Sequence, residues 1–286
     1  MDYSRMIDAG FAFAGNRRRL SIQFIYSAIV ITLLVSPLLL IMPLVKQFTE
    51  VYSATDSIAQ AMSTMVPAQA LAAAAGAVML FLALLLLVWL ASIFVHAFFI
   101  HSSLTGASLK QSLAAAKKKY LSVLLATIFI ALVGVAQAII FAPLKAIPFA
   151  GALFGVIDFF ASIFFALAFL FAVYAIMARE SDVFKGIADG FNTFVQHPFE
   201  TLATLVAAAV LSAIISVIGL IPLLAAAIAW VATGFSLNNT VLAVIAFAAA
   251  LGVLGFAYAQ LYNVGALGNA FNQLNKRAAP AKKRRK

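Results

Sequence analysis

The sequence predicts an all-α integral membrane protein, a polytopic bundle of about six transmembrane helices arranged as three parallel hairpin repeats. Its 286 residues are 65% hydrophobic and 10% charged, with a mean hydropathy of +1.09. Soluble domains average about 45–50% apolar and about 25% charged residues, so this composition excludes a water-soluble globule. The apolar residues form separate stretches of membrane-spanning length, and the basic residues cluster between alternate stretches. The 26 phenylalanines exclude a disordered chain.

The apolar stretches define the predicted spans. A transmembrane helix needs about 20 predominantly apolar residues, because each residue rises about 1.5 Å. We expect residues 1–277 to form a single transmembrane domain and residues 278–286 to form a flexible basic tail in the cytoplasm. The predicted spans cover roughly residues 20–43, 72–100, 120–143, 156–177, 199–221 and 239–262.

The basic residues predict the orientation in the membrane. The chain has 19 lysines and arginines and a net charge of +10. With six spans, seventeen of the 19 fall on the side that holds both termini, and the other side holds only Lys46 and Lys145. Cytoplasmic loops of membrane proteins retain lysine and arginine. We therefore expect a multi-pass protein of the cell membrane with both termini in the cytoplasm.

A repeat of three units accompanies the odd-numbered spans. Each of these spans follows a polar or basic triplet, and a proline lies 23 residues after its first residue. Twenty-three helical residues rise about 35 Å, enough to cross a bilayer, and a proline suits the end of the crossing because it lacks an N–H donor. The triplets are residues 17–19, 117–119 and 196–198, and the prolines are Pro43, Pro143 and Pro222.

Four amphipathic stretches lie beside these spans. Apolar residues three or four apart share one face of a helix. Such a helix can lie in the headgroup plane with its apolar face down, or it can pack against the spans as an ordinary helix extension; the sequence leaves both open. The four stripes are Tyr3, Ile7, Phe11 and Ala14; Leu109, Leu113, Ala116 and Tyr120; Phe184, Ile187, Phe191 and Phe194; and Val264, Leu267, Phe271 and Leu274.

The combination of an amphipathic stretch, a polar turn and a long apolar helix pair is found in a known family. It occurs here as SLKQSLAAAKKKYLSVLLATIFIAL and VFKGIADGFNTFVQHPFETLATLVAAAVL, with the tail LYNVGALGNAFNQLNKR. These segments resemble the membrane domain fused to some bacterial glycerophosphoryl diester phosphodiesterases and its stand-alone archaeal and bacterial relatives. The resemblance implies a six-helix membrane domain with no established chemistry. The phosphodiesterase activity is not carried over, because no soluble segment of this chain is long enough to hold the catalytic domain.

Clusters of basic residues are candidate contacts for anionic lipid headgroups at the cytoplasmic face. Each basic residue near an anionic leaflet contributes about 1 kcal/mol of attraction. Two other interpretations of the terminal cluster remain: it only fixes the topology, or it attracts RNA phosphates without sequence specificity. We do not expect nucleic acid as the partner. The candidate contacts are Arg17, Arg18 and Arg19; Lys117, Lys118 and Lys119; and Lys282, Lys283, Arg284, Arg285 and Lys286.

Asp158 and Gln137 form a candidate polar site within the membrane. Asp158 is an acidic residue inside an apolar run, where a charge marks a functional hypothesis. The 21 residues from Asp158 to Arg179 span about 31 Å of helix, which predicts that Asp158 lies at the outer interface and that residues 144–157 precede the span. A hydrogen-bonded or solvated carboxylate is therefore favoured over a proton or cation site, and Gln137 is expected to form an interhelical hydrogen bond.

These patterns predict a non-catalytic membrane protein that interacts with lipids, organises the membrane or recruits a partner, including a second copy of itself. We expect no cofactor and no enzymatic activity, since there is no cysteine and no phosphate-binding loop or nucleophile–base pattern. The alternative is a transporter or permease for a small solute or an ion. A water-filled cavity lined by both Asp158 and Gln137 would favour that alternative.

Overall fold

The computed structural model describes residues 1–53, 68–179, 182–232 and 239–278, and their side chains except those of 38–53, 68–74, 239 and 277–278. Within these ranges the chain is helical and forms no strand, which confirms the predicted all-α fold. The helices are α1 (Tyr3–Ala14), α2 (Arg17–Ser53), α3 (Ala68–Thr105), α4 (Leu109–Lys145), α5 (Gly151–Phe169), α6 (Ala172–Ala178), α7 (Val183–Gln196), α8 (Pro198–Ala232) and α9 (Asn239–Ala278).

Six helical stretches of the described residues are long and apolar enough to cross a membrane, as predicted. The fourth differs in detail from the prediction, because α5 begins at Gly151 and residues 151–157 are helical. This span is also divided between α5 and α6, with the break at Leu170 and Phe171. The stretches are Arg17–Pro37, Ala75–Thr105, Leu109–Lys145, Gly151–Ala178, Pro198–Ala232 and Thr240–Lys276.

The chain falls into two compact units. The first comprises Met1–Phe24 and Ile93–Lys286, and the second is Ile25–Ser92. In the second unit the hydroxyl groups of Thr32 and Ser36 donate to backbone carbonyls within one turn, at 2.8 and 3.0 Å. These bonds give each hydroxyl group a hydrogen-bond acceptor within an apolar helix.

Hydrogen bonds join the ends of several helices in the first unit. The backbone N–H of Asp2 donates to the side chain of Gln273 at 2.8 Å, which joins the start of the chain to the end of α9. The side-chain amide of Asn272 donates to the carbonyl oxygen of Leu104 at 3.1 Å, which joins the same part of α9 to the end of α3. We call this region, where the N-terminus, the α3–α4 connection, the α6–α7 connection and the end of α9 meet, the basic end.

Arg179 joins the α6–α7 connection to the basic end. Its guanidinium group donates to the carboxylate of Asp189 on α7 at 2.9 Å and to the side-chain oxygen of Asn275 on α9 at 2.8 Å. In the first unit, the start of the chain, the two predicted loops and the end of α9 therefore lie together.

Two of the four amphipathic stretches form separate helices that pack on the spans. On α1, Gly10 lies against Tyr262 of α9, and Phe13 lies against Gly265. On α7, Gly190 lies against the backbone at Phe171 and Ala172, where the fourth span is broken. The other two stretches continue directly into spans, as the first turns of α4 and the last turns of α9. Packing against the spans thus accounts for the buried faces of α1 and α7.

Candidate functional site

A cavity of about 380 Å³ opens at the basic end, and we call it the basic pocket. The α1–α2 junction and the α3–α4 connection line it together. Three of its lining residues are cationic and none is acidic, so its electrostatic field favours an anion. The lining consists of Asn16, Arg18, Arg19, Ala107, Ser108, Leu109 and Lys110.

Two helices begin at the basic pocket. The side-chain oxygen of Asn16 accepts a hydrogen bond from the backbone N–H of Arg19 at 3.3 Å, in the first turn of α2. At the start of α4, Ser108 and Gln111 form a reciprocal capping box. The α3–α4 turn depends on Gly106, whose φ of 65° lies in the left-handed region that glycine adopts freely. The N-termini of α2 and α4 add partial positive charge to that of the side chains.

The three cations of the basic pocket are held differently. The guanidinium carbon of Arg19 lies 4.2 Å from the centre of the Phe13 ring, a cation–π contact that orients this side chain. Arg18 and Lys110 are exposed, and neither forms an ion pair with another described residue. The pocket thus combines one oriented cation with two that can turn toward a ligand.

The other predicted lipid contacts are distributed differently. Arg17, Lys117 and Lys118 are exposed and lie outside the lining of the basic pocket. The predicted contacts of the basic tail lie outside the described residues: Lys282, Lys283, Arg284, Arg285 and Lys286.

Lys119 makes contacts within the protein. Its ammonium group donates to the carbonyl oxygens of Ile176, Met177 and Arg179 at 2.9, 3.2 and 3.3 Å. The last carbonyl groups of a helix lack hydrogen-bond donors within that helix, and at the end of α6 the ammonium group of Lys119 provides these donors. This side chain holds α4 against α6.

Asp158 and Gln137, the predicted polar membrane site, face each other across α4 and α5. The amide nitrogen of Gln137 donates to Asp158 Oδ1 at 2.6 Å and to Ser162 Oγ at 2.7 Å. The ammonium group of Lys145 forms an ion pair with Asp158 Oδ2. The side chain of Asp158 is 17% exposed and that of Lys145 is 44% exposed. Asp158 is therefore a hydrogen-bonded and ion-paired carboxylate, with its partner cation open to the surroundings.

These four polar residues border a cavity of about 620 Å³ between α4 and α5, which we call the α4–α5 groove. The rest of its lining is apolar and includes several small residues. Helix α4 contributes Ile130, Val133, Gly134, Gln137, Ala138, Ala142 and Lys145; α5 and the residue after it contribute Asp158, Ser162, Phe165, Ala166, Phe169 and Leu170.

Sequence reasoning missed Lys110 in the basic pocket and Lys145 and Ser162 in the groove. Lys110 lies within a Ser-x-x-Gln capping signal, between Ser108 and Gln111, which predicts a helix start and so a concentration of positive potential. Lys145 follows Pro143 at the end of the third predicted span, and Ser162 lies one helical turn after Asp158. The last spacing places Ser162 and Asp158 on one helical face.

The fold and the two cavities define a six-span α-helical membrane protein with a basic pocket at one end and a largely apolar groove elsewhere in the first unit. Among the described residues, no group of three or more histidines, aspartates and glutamates is arranged to hold a metal ion. No family model matches the chain, and comparisons with curated proteins and solved structures find no match. The resemblance to the phosphodiesterase-associated membrane domain stays a prediction.

Proposed function

We propose that this chain is a non-catalytic membrane protein that binds anionic lipid headgroups at its basic end, which faces the cytoplasm. The observation that carries this proposal is the basic pocket, where Arg18, Arg19 and Lys110 border one cavity with no acidic residue in its lining. Hydrogen bonds between such cations and a phosphate are charge-assisted and about twice as strong as neutral ones. The excess of basic residues on this side supports the cytoplasmic orientation.

The position of the pocket favours a lipid over a soluble anion. The first candidate span begins at Arg17, beside the lining, and the helix that contains the third begins within the lining, at Leu109. We expect a headgroup phosphate at the membrane surface to reach the pocket while its acyl chains stay among the spans. A free phosphate shares the same recognition chemistry, so the experiment must separate the two sources.

The remaining basic residues support the same binding less specifically. Arg17, Lys117 and Lys118 are exposed, and the five basic residues of 282–286 add charge at the C-terminus. Their attraction to an anionic leaflet requires no pocket and weakens with salt. We therefore assign headgroup selection to the basic pocket and general membrane attraction to these other residues.

The double variant Arg18→Gln/Lys110→Gln tests the basic pocket. We expect the wild-type chain, purified in a neutral detergent, to melt at a higher temperature with phosphatidylglycerol than with phosphatidylcholine, since a ligand of the folded state stabilises it. The variant should lose most of this difference. Losing one charge-assisted hydrogen bond, about 1.5–3 kcal/mol, weakens affinity at least about tenfold.

The matched control is Arg17→Gln/Lys117→Gln, which removes the same charge outside the pocket lining. It should retain most of the response to phosphatidylglycerol. Equal losses in both double variants would contradict a defined site and leave only general attraction. If inorganic phosphate stabilised the wild-type chain as strongly as phosphatidylglycerol, the pocket would be a free-anion site and the lipid proposal would fail.

One observation favours the alternative function, transport of a small solute. Gln137 and Asp158 line the same cavity, the α4–α5 groove. Their polar atoms are nevertheless satisfied by Lys145, Ser162 and each other. The surrounding wall is mostly apolar, which suits a lipid chain better than a hydrated solute.

The accessibility of Ala138 to water separates the two functions. Because the chain contains no cysteine, a single Ala138→Cys variant in lipid nanodiscs reports on the groove without background. We expect a water-soluble maleimide to label it slowly, at a rate close to that of Ile139→Cys, a 68% exposed neighbour outside the groove lining. Labelling as fast as that of Phe149→Cys, a fully exposed position in the α4–α5 turn, would show a water-filled groove and support transport.

A further inference from the structure

The α4–α5 groove is a second candidate binding site, distinct in position and chemistry from the basic pocket. Its volume of about 620 Å³ lies within the range of about 300–1,000 Å³ that is typical of small-molecule sites. A Cβ atom added at Gly134 would meet no atom within 4 Å, so the wall of α4 faces open space at this point. The described part of the chain therefore leaves this space free for an occupant.

The groove has a polar border and a long apolar wall. The polar border consists of Lys145, Asp158, Gln137 and Ser162. From Ser162 to Phe169, seven residues of helix give the apolar wall a length of about 10 Å. An elongated apolar chain covers such a wall, whereas an ion or a sugar would leave its own polar groups unsatisfied there.

The charges of the polar border define the head of the ligand. Lys145 and Asp158 carry opposite charges and form an ion pair, so the border has no net charge. An anionic headgroup would be attracted by Lys145 and repelled by Asp158. A headgroup with both signs complements the ion pair, with its phosphate at the ammonium group, which is 44% exposed. Its amine would use an acceptor site that the 17% exposed carboxylate keeps beside its bonds to Lys145 and Gln137. The basic pocket, with three cations, lacks such a counterpart for the amine.

We propose that the α4–α5 groove binds one acyl chain of a zwitterionic phospholipid whose headgroup pairs with Lys145 and Asp158. This site goes beyond the proposed function and does not depend on it, because it shares no lining residue with the basic pocket. It makes the α4–α5 hairpin a specific lipid site.

Photo-cross-linking tests the location of the chain. The full-length protein is reconstituted in phosphatidylcholine nanodiscs with a phosphatidylethanolamine that carries a diazirine in the middle of one acyl chain. We expect the cross-links to concentrate in residues 130–142 and 158–170. Gly134→Leu fills the open space and should remove most of them, whereas Gly155→Leu should not. Gly155 belongs to the same hairpin, and a Cβ atom there also meets nothing within 4 Å.

Similar cross-linking in the two glycine variants, or cross-links in the wild-type chain spread evenly over the lipid-facing residues, would overturn the proposal. The headgroup is tested by a phosphatidylglycerol that carries the same diazirine, which should cross-link less at the groove. Lys145→Gln/Asp158→Asn should abolish this preference. An equal yield from both lipids in the wild-type chain would refute the zwitterionic assignment.

The proposals for the two lipid sites can be refuted separately. Arg18→Gln/Lys110→Gln should leave the phosphatidylethanolamine cross-links in the groove unchanged, and Gly134→Leu should leave the stabilisation by phosphatidylglycerol unchanged. Loss of groove cross-linking in Arg18→Gln/Lys110→Gln would contradict the independence of the two sites.

Discussion

Replacing Gly255 by alanine is expected to lower the melting temperature of the protein by several degrees. Gly255 of α9 lies directly against Gly219 of α8, and a Cβ atom at Gly255 would stand 2.5 Å from the Cα atom of Gly219. The obstacle is backbone, which cannot turn away as a side chain can, so the two helices must separate. Small residues allow this close approach in membrane helices, and overpacking such a contact costs about 1–3 kcal/mol.

Gly252→Ala provides the matched control for this substitution. Gly252 lies on the same helix one turn earlier, and a Cβ atom there would be 3.7 Å from the nearest atom, the carbonyl oxygen of Gly219. This is an ordinary van der Waals contact, so we expect an unchanged or slightly higher melting temperature. Thermal unfolding in detergent measures both variants. Equal melting temperatures would contradict the close α8–α9 crossing.

Replacing Lys119 by methionine is the second change from which we expect a large loss of stability. The methionine side chain is similar in length to that of lysine, but it has no hydrogen-bond donor for the carbonyl oxygens of Ile176, Met177 and Arg179. Ile176 and Met177 are buried, so water does not readily replace the lost donor. A hydrogen bond to a charged group contributes about 1.5–3 kcal/mol, and we expect a loss in at least this range by chemical denaturation in detergent.

Lys117→Met removes a lysine from the same triplet and serves as the control. Lys117 is exposed, so we expect its replacement to change stability little. A loss as large as that of Lys119→Met would indicate that net charge at the basic end, and not the cap of α6, determines stability. Lys119→Arg retains donors and should recover part of the loss.

The hydrophobic core of the first unit lies close to the basic end. Phe99 and Ile100 are buried in the last turns of α3, Ala116 in the first turns of α4 and Phe271 in the last turns of α9. The segments that form the basic pocket continue into this core. Phe13, whose ring forms the cation–π contact with Arg19, is one of the core residues. A binding site placed on such packed elements is preorganised, which reduces the entropy lost when a ligand binds.

The number of spans was predictable because membrane crossing is a local property of about 20 consecutive residues. The helix boundaries were less predictable, since similar triplets have different outcomes. The helix is interrupted at Gly15 and Asn16, before residues 17–19, and at His197, before Pro198. At residues 117–119 helix α4 continues. Lysine favours a helix, whereas a proline restricts the residue before it.

The polar membrane site was half predicted. Asp158 stood out as a charge within an apolar run, and Gln137 as an amide within a span. Lys145 is 13 residues from Asp158 in sequence and reaches it because the chain reverses between α4 and α5. A long-range pair of this kind depends on the geometry of the turn, which the spacing of apolar residues does not specify.

The sequence by itself determined the helical membrane fold, the six spans and the accumulation of positive charge beside alternate spans, because hydropathy and charge are summed along short stretches of chain. Only the tertiary structure decided what each charge does. It places Arg18 and Lys110 around one pocket, assigns Lys119 to the end of α6 and pairs Lys145 with Asp158. The physical reason is that electrostatic and hydrogen-bond energies depend on distances between atoms, and packing sets these distances for residues far apart in sequence.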